Sequence, residues 1–380
     1  MLQLPLVARD AVQIALLNNR SLQASFEELG ISEADLVQSG RLPNPRFTLR
    51  HAGISAQYDI EETLTFNVLS LLTAPYARRI EERRFAQVQG AVVISVVHLA
   101  NATQQAYFEA VAASESVHYL EQVKTAAETG AELAQRMLAA GNWNVLDQAH
   151  EQGFYADAER RLTQARWQQE AAAEKLRQLM GLSGAQPALQ LAQTLPDTEG
   201  ILLQNRMNLK VKRLQIDALA HSLGLSKATR FINVLDAGPT RVLQGDKYQP
   251  YERGYEISLE VPIFDSGAAR VRRAEALYSQ AVDRFAQSAV DARSETRRAY
   301  AAYRACFEIA RQQRDVVVPN AKLVAAQNLL RYNASLISVF DLLADARSQV
   351  SSVDDYIRSV RDFWMAKSEL DTALLGNSTP

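Results

Sequence analysis

Two long stretches of the chain combine strong helix-forming residues with an almost complete lack of proline. Ala, Gln, Glu, Arg and Leu dominate from Pro75 to about Ala140, and no further proline occurs within that stretch. At about 1.5 Å per residue, a helix over this stretch is roughly 100 Å long. A second stretch runs from about Ser266 to Tyr332, with Pro319 as its predicted kink. Helices of this length are typical of coiled coils and extended helical bundles rather than of compact globular domains.

Two short regions alternate between apolar and polar residues instead. Arg46–Arg50 and Thr63–Val68 alternate in the first region. In the second, apolar residues alternate with polar ones from Tyr255 to Ile263, and the apolar run Phe231–Leu235 precedes them. Such a period of two predicts β-strands, so we expect β-hairpins at about 46–69 and about 230–263. The predicted fold class is mainly α with a small β part of four strands per chain.

The alternation in the second hairpin allows two interpretations. Tyr255, Ile257 and Leu259 could face lipid while Glu256 and Ser258 face a wet lumen, as in a membrane β-barrel. A soluble sheet with one buried face produces the same pattern. The pattern alone favours the soluble sheet.

Helix and strand blocks follow one another in the same order twice, which predicts an internal duplication. Ala106-Tyr107 matches Ala299-Tyr300, and Gly141–Asp147 matches Ser335–Asp341 at nearly the same offset. We therefore expect a first repeat over 1–190 and a second over 191–380, intertwined in one domain. Each repeat is predicted to contain a helix, a β-hairpin and a long helical hairpin. The hairpin tips fall at about 140–147 and about 332–341.

Composition excludes several classes of function. The 41 Lys and Arg residues against 43 Asp and Glu residues give a net charge of -2, which argues against nucleic acid as a partner. The single cysteine, Cys306, excludes an intramolecular disulfide and is interpreted as a core residue. The 5 His residues have no zinc-binding spacing, and no nucleophile-elbow or phosphate-loop motif occurs. We expect no enzyme activity, no cofactor and no metal.

The sequence shows no obvious membrane-spanning helix or targeting segment. No apolar run approaches the roughly 18 residues of a spanning helix, and the longest is Ala91–Val97. Met1–Pro5 lacks the basic region of a signal peptide, so none is expected in the given sequence. Membrane β-strands escape such a scan because they alternate.

Four strands per chain are too few to close a barrel. Open sheet edges pair readily with other chains, and in lipid an open edge is not tolerated. Several copies could close one barrel together, with their long helices forming a second tube. The architecture therefore predicts an oligomer.

Six segments spread along the chain match elements of one known family. In this combination they make the sequence similar to the TolC-like outer membrane efflux proteins over essentially its whole length. The segments are Ala11–Leu22, Leu42–Pro45, Leu69–Arg84, Ala140–Gln152, Leu259–Arg270 and Arg331–Leu343. The fifth contains the Pro-aliphatic-Phe-Asp-x-Gly run at which the family passes from strand to helix. This run reverses the preference for a soluble sheet and favours strands whose apolar residues face lipid.

The resemblance implies a homotrimer in the outer membrane of a Gram-negative bacterium. Its twelve strands, four per chain, would form a β-barrel in outer-membrane lipid, and its long helices a periplasmic tunnel. Such a protein is the passive exit duct of a tripartite efflux system, and a periplasmic adaptor and an inner-membrane pump dock at its tip. The resemblance does not indicate the exported substrate. The alternative is a soluble coiled-coil scaffold, which would stay dispersed without detergent.

The resemblance also assigns roles at the two tips. Asp147 and Tyr332 match positions at which family members hold neighbouring helices closed. Asp147 and Asp341 are expected to line the constriction, where carboxylates favour cations, so all three residues are assigned to the gate. An open alternative is that the two aspartates only cap the returning helices. Ile337 stands where the family can have an arginine latch, so any lock differs here. Residues expected to dock the adaptor are Gly141, Trp143, Asn144, Ser335 and Ser338.

Basic clusters follow both predicted hairpins. They comprise Arg78-Arg79 with Arg83-Arg84, and Arg270 with Arg272-Arg273. One interpretation is a solvated helix face. The other is an interface with the membrane or with neighbouring helices.

Overall fold

The computed structural model describes residues 6–54, 57–182, 191–192, 194–196, 208–230, 234–245, 248–334 and 336–375. Within these ranges the chain forms helices and four strands in the predicted order, so the predicted fold class is confirmed. The elements are α1 (Ala8–Asn18), α2 (Arg20–Ser39), β1 (Arg46–Ile54), β2 (Gln57–Asn67), α3 (Val68–Ala139), α4 (Val145–Leu179), α5 (Asn208–Ala228), β3 (Leu235–Gly245), β4 (Glu252–Leu259), α6 (Ala268–Gln312), a π-helix (Gln313–Val317), α7 (Val318–Asn333) and α8 (Val339–Leu375).

The chain divides into two compact units. The helical unit comprises Met1–Gln23, Ile94–Arg206 and Ala292–Pro380. The sheet unit comprises Ala24–Val93 and Met207–Asp291. Helices α3 and α6 contribute to both units. Helix, two strands and long helices occur in the same order in each half of the chain, but the origin of the halves as repeats 1–190 and 191–380 stays a prediction.

The sheet unit contains one antiparallel sheet in the order β1-β2-β3-β4. Register across the centre is marked by Thr63 and Thr240, which are paired residues whose hydroxyl oxygens lie 2.9 Å apart. One residue in β3 must be glycine, because a Cβ at Gly238 would overlap the carbonyl oxygen of Leu64 on β2. Strands β1 and β4 are the two edges of this sheet.

Strand β4 has no buried face within one chain. All eight of its residues are exposed, including Tyr255 at 81% and Ile257 at 63%. The alternate residues Glu256 and Ser258 are exposed as well. A soluble half-buried sheet requires one covered face, so β4 does not fit that interpretation.

The second hairpin is shorter than its predicted span of about 230–263. Strand β4 ends at Leu259, although the alternation of residues continues to Ile263. Pro262 lacks a backbone N–H and cannot continue the ladder of hydrogen bonds. On the other side β3 begins at Leu235, and the predicted strand residues 231–233 lie outside the described part of the chain.

Aromatic side chains form the core of the helical unit. Phe108 of α3 stacks on Trp364 of α8 at 5.0 Å between ring centroids, and Phe363 contacts the same indole edge-on at 5.4 Å. Tyr107 donates a hydrogen bond of 2.9 Å from its hydroxyl to the carbonyl of Leu6. Cys306 is half-buried against this core, where burial raises the pKa of its thiol. The cysteine therefore packs as a small apolar residue.

Helix α3 corrects one expectation from the sequence. It contains an 18-residue window with a mean hydropathy of 1.4 and at most two charged residues, so by length and composition it could cross a membrane. The search for an uninterrupted apolar run missed this window because polar residues are scattered through it. Only 6% of the window is buried. A single such helix is weak evidence for a membrane span.

The second long helical stretch is interrupted by a π-helix. Residues Gln313–Val317 form it directly before Pro319, which occupies the first turn of α7. A kink is predicted at Pro319 from the sequence, but the π-helix is not. One additional residue per turn relieves the clash that a proline ring makes with the preceding turn.

Candidate functional site

The candidate site consists of the two tips that end the helical hairpins. At the first tip, α3 ends at Ala139, and Gly141 two residues later adopts φ +74°, in the left-handed region. The amide of Gly141 donates to the carbonyl of Leu138 at 3.0 Å, and that of Asn142 donates to Met137 at 2.9 Å. This nested pair of bonds is a Schellman motif, which requires the positive φ that glycine adopts without strain.

Helix α4 begins immediately after this turn. Asn144 is its N-cap, and the side-chain oxygen of Asn144 accepts a hydrogen bond of 2.8 Å from the amide of Asp147. Asp147 is half-buried in the first turn, where a carboxylate interacts favourably with the helix dipole. Its carboxylate makes no hydrogen bond or ion pair with any residue that the structure describes. Cap and carboxylate are therefore supplied by different residues at this tip.

At the second tip one aspartate is part of the cap itself. The hydroxyl of Ser338 donates to a carboxylate oxygen of Asp341 at 2.8 Å, and the amide of Asp341 donates back to that hydroxyl at 3.2 Å. The amide of Ser338 also donates to the carboxylate at 3.1 Å. These donors, with the Ser338 hydroxyl first, hold the pKa of Asp341 below its ordinary value. This reciprocal arrangement is a capping box with aspartate in place of glutamate.

The remaining predicted tip residues have separate positions. Tyr332 lies in the last turn of α7 and is exposed, and the amide of Leu336 donates to the carbonyl of Arg331 at 2.8 Å. Ser335, which stands at the position of Gly141 in the sequence match, lies outside the described residues. In the described part of the chain, no hydrogen bond joins Asp147, Tyr332 and Asp341 to one another. Both tips have exposed apolar side chains at their turns. These are Val145 and Leu146 at the first tip, beside the half-buried Trp143, and Leu336 at the second.

A buried ion pair beside the tips was not predicted. Glu151, one turn beyond Asp147 on α4, is almost fully buried and accepts a hydrogen bond of 2.7 Å from the guanidinium of Arg347 on α8. The same guanidinium lies 4.5 Å from the ring centroid of Phe154, also on α4. One oxygen of Glu151 and the Nε of Arg347 have no hydrogen-bond partner among the residues that the structure describes.

The sequence did contain a signal for this pair. Glu151 is the one charged residue among the buried positions of α4, which are Glu151, Ala158, Leu162, Ala165, Ala172 and Leu176. A charge on an apolar stripe predicts a buried partner. Which of the many arginines supplies that partner depends on how α8 packs, and a stripe in a single helix does not show that.

Helices α3 and α4 are also joined by exposed ion pairs. Arg166 contacts Glu121 at 2.9 Å, and Lys175 contacts Glu109 at 2.9 Å. Above the second tip Asn328 of α7 hydrogen-bonds to Asp345 of α8. Polar contacts therefore connect α3 to α4 and α7 to α8, whereas Glu151–Arg347 connects the two hairpins to each other.

Metal binding has no support in the described part of the chain. No group of three or more His, Cys, Asp or Glu side chains there is placed to hold a metal ion. What the site can offer a ligand is a pair of capped turns with exposed apolar residues and two carboxylates.

Comparison with solved structures shows where this fold occurs. The chain matches the CmeC outer membrane channel of Campylobacter jejuni with a TM-score of 0.84 at 14% identity, over 97% of this chain and 85% of that chain. A membrane protein from Pseudomonas aeruginosa gives 0.82 at 18% identity, over 97% and 93%. The open state of the MtrE outer membrane channel of Neisseria gonorrhoeae gives 0.80 at 15% identity, over 97% and 88%.

Sequence comparison adds no closer assignment. No protein-family model matches the chain, and no curated protein matches it. The structural similarities confirm the fold that the resemblance to TolC-like outer membrane efflux proteins predicts. The chain therefore shares its fold with these solved outer membrane channels.

Proposed function

We propose that this protein is the outer membrane exit duct of a tripartite efflux system. The observation that carries the proposal is the unfinished sheet of four strands, with edges at β1 and β4 and with Tyr255 and Ile257 exposed on β4. A lone chain gains nothing from such a surface in water, whereas three chains supply twelve strands for one closed barrel. The similarity to solved outer membrane channels over 97% of the chain supports the same assignment.

The proposed setting is the outer membrane of a Gram-negative bacterium. The twelve-stranded barrel of a homotrimer lies in lipid, and the long helices extend into the periplasm. A periplasmic adaptor and an inner-membrane pump bind at the helical tips, and substrate passes through passively. The duct catalyses no reaction, since transport energy comes from the pump.

The tip residues have two proposed roles. Gly141, Trp143, Asn144, Ser335 and Ser338 belong to the adaptor-docking surface, and the exposed apolar Val145 and Leu146 beside them support that role. Asp147, Tyr332 and Asp341 form the gate. Because Asp341 is engaged in its own cap, Asp147 is the carboxylate better placed to interact with passing cations.

Mass and shape in detergent test the proposal directly. We expect light scattering to give three chains per particle, and negative-stain images to show an elongated particle. A monomer or compact dimer that stays dispersed without detergent would contradict the duct and favour the soluble coiled-coil scaffold.

A further inference from the structure

The corner between β4 and α6 exposes three large apolar side chains in succession. Val261 is 66% exposed, Ile263 77% and Phe264 fully exposed. In a water-soluble protein a phenylalanine with this exposure has no stabilising contact, so the corner has the character of a surface that something apolar covers.

The corner has a defined conformation. Gly267 adopts φ +70°, and its amide donates to a carboxylate oxygen of Asp265 at 2.9 Å. Arg230 donates from Nε to the carbonyl of Ser266 at 3.2 Å. A Cβ at Gly267 would lie 2.5 Å from the carbonyl oxygen of Arg230, so the close approach requires glycine. The turn therefore fixes the backbone next to the exposed apolar residues.

Positive charge follows the apolar residues in the first two turns of α6. Arg272 and Arg273 are exposed near the start of α6, whose first turn contains no acidic residue. Neither makes an ion pair with any described residue. The nearest carboxylates along the chain are engaged, because Asp265 accepts from Gly267 and Glu275 pairs with Lys227 at 2.9 Å.

The other exit from the sheet shows the same succession. Leu72 and Tyr76 on the first turns of α3 are 66% and 56% exposed, and Arg78-Arg79 follows them. Arg78 pairs with Glu82, whereas Arg79 is exposed without an ion-pair partner among the described residues. Apolar or aromatic residues followed by arginine occur where a chain leaves lipid, since the ring lies among acyl chains and the guanidinium reaches the headgroups.

We infer that this corner, Val261–Phe264 with Arg272 and Arg273, binds the phosphate headgroup of an anionic phospholipid at the membrane surface. The inference rests on the proposed function, which places the sheet in a membrane. In a ring of identical chains a second copy would meet the corner with a different part of its surface. The choice of a lipid therefore rests on Arg272 and Arg273, whose charge has no counter-charge among the described residues and favours an anionic occupant. An anionic headgroup compensates the charge, and its acyl chains cover Phe264.

Lipid titration of the purified full-length protein tests the inference. The protein in neutral detergent is titrated with short-chain phosphatidylglycerol or with phosphatidylcholine of the same chain length, and bound lipid is counted by native mass spectrometry. We expect tighter binding of phosphatidylglycerol, and roughly 10- to 30-fold weaker binding after the double change Arg272→Gln and Arg273→Gln. Arg272→Lys with Arg273→Lys should retain most of the binding, because the charge is kept.

The same helix offers a matched control. Arg297 and Arg298 form a second exposed arginine pair further along α6, and their change to Gln should leave lipid binding unaltered. Equal binding of the two lipids, or equal weakening by both Gln pairs, would overturn the inference. So would equal displacement by inorganic phosphate, which would show a simple anion site. Light scattering on the same samples reports the mass of the assembly, so a failure of lipid binding is distinguished from a failure of the duct proposal.

Discussion

Glu151 and Arg347 form an ion pair of 2.7 Å between the two helical hairpins, with the glutamate side chain only 2% exposed. In the described part of the chain, one polar atom of each side chain has no hydrogen-bond partner. A buried pair of this kind adds little net stability, because desolvation offsets much of the attraction. Its clearer effect is on the position of α8 along α4, since Glu151 receives its counter-charge only when Arg347 lies beside it.

Removing one member of the pair should destabilise the protein. We expect Glu151→Gln to lower the free energy of unfolding by about 2 kcal/mol, because the Arg347 guanidinium loses its counter-charge but is 35% exposed and stays partly solvated. The joint change Glu151→Met and Arg347→Met should restore most of it. Thermal unfolding in detergent measures both.

The exposed pair Arg166–Glu121, with a similar distance of 2.9 Å, serves as the control. Glu121→Gln should cost less than about 1 kcal/mol, because solvent screens that pair. If the double methionine variant were as unstable as Glu151→Gln, the loss of stability could not be assigned to the unpaired charge of Arg347.

The Schellman turn at the first tip should depend on glycine. Gly141→Ala places a Cβ at φ +74°, which costs about 1 kcal/mol. Hydrogen exchange should become faster in the residues around the turn, with little change in the rest of α4. Gly153→Ala is the control, because Gly153 lies inside α4 with open space around it and alanine favours a helix there. Unchanged exchange at the tip of Gly141→Ala would contradict the role assigned to the turn.

The capping box at the second tip should respond to acid. The folded protein holds the pKa of Asp341 below its ordinary value, so the cap contributes stability above that ordinary value, about 3.9, and loses it as pH falls through the lowered pKa. We expect Ser338→Ala to raise the pKa of Asp341, as measured by carboxyl ¹³C NMR in the full-length protein. Ser352→Ala removes a hydroxyl elsewhere on α8 and should leave that pKa unchanged. An identical titration in the Ser338→Ala variant would refute the capping box.

The two tip aspartates should contribute unequally to ion preference. Replacing both Asp147 and Asp341 with Ala should reduce cation preference in single-channel recordings. Since the Asp341 carboxylate is engaged with Ser338, most of the reduction should already appear in Asp147→Ala. Full selectivity in the double variant would show that neither carboxylate sets the ion preference.

The sheet should be sensitive to a single methyl group. Gly238→Ala forces a Cβ against the carbonyl of Leu64, so β2 and β3 must separate. We expect the variant to lose its assembled form in detergent, as seen by light scattering. Gly224→Ala on α5, where there is open space, is the control and should assemble normally. Assembly of Gly238→Ala at the normal yield would mean that the pairing of β2 with β3 is not required.

Patterns that repeat along the sequence were predictable, whereas single contacts were not. The long helices and four strands followed from proline-free stretches and from alternation, both of which are local properties. The end of β4 at Leu259 was not predicted, because the alternation of residues continues to Ile263. Pro262 has no backbone N–H to donate to a neighbouring strand, and alternation does not register this. The π-helix at Gln313–Val317 adjusts helix geometry before Pro319, and residue type alone did not indicate it.

The candidate site shows the same division. Gly141, Asn144 and Ser338 were identified from the tip motifs, and the structure gives each a defined part in a turn or cap. Their roles in docking, and the gate formed by Asp147, Tyr332 and Asp341, stay predictions. Glu151 was missed because its significance depends on Arg347, which lies far away in the sequence and meets it only through packing.

The unpaired edges of β1 and β4 also bear on biogenesis. In the proposed trimer no single polypeptide can complete its own hydrogen bonding, so the barrel exists only once three newly made chains have met. Its formation rate should then rise steeply with the local abundance of unassembled chains, unlike that of a barrel made from one polypeptide. Until the chains meet, each needs protection from pairing with the wrong strand.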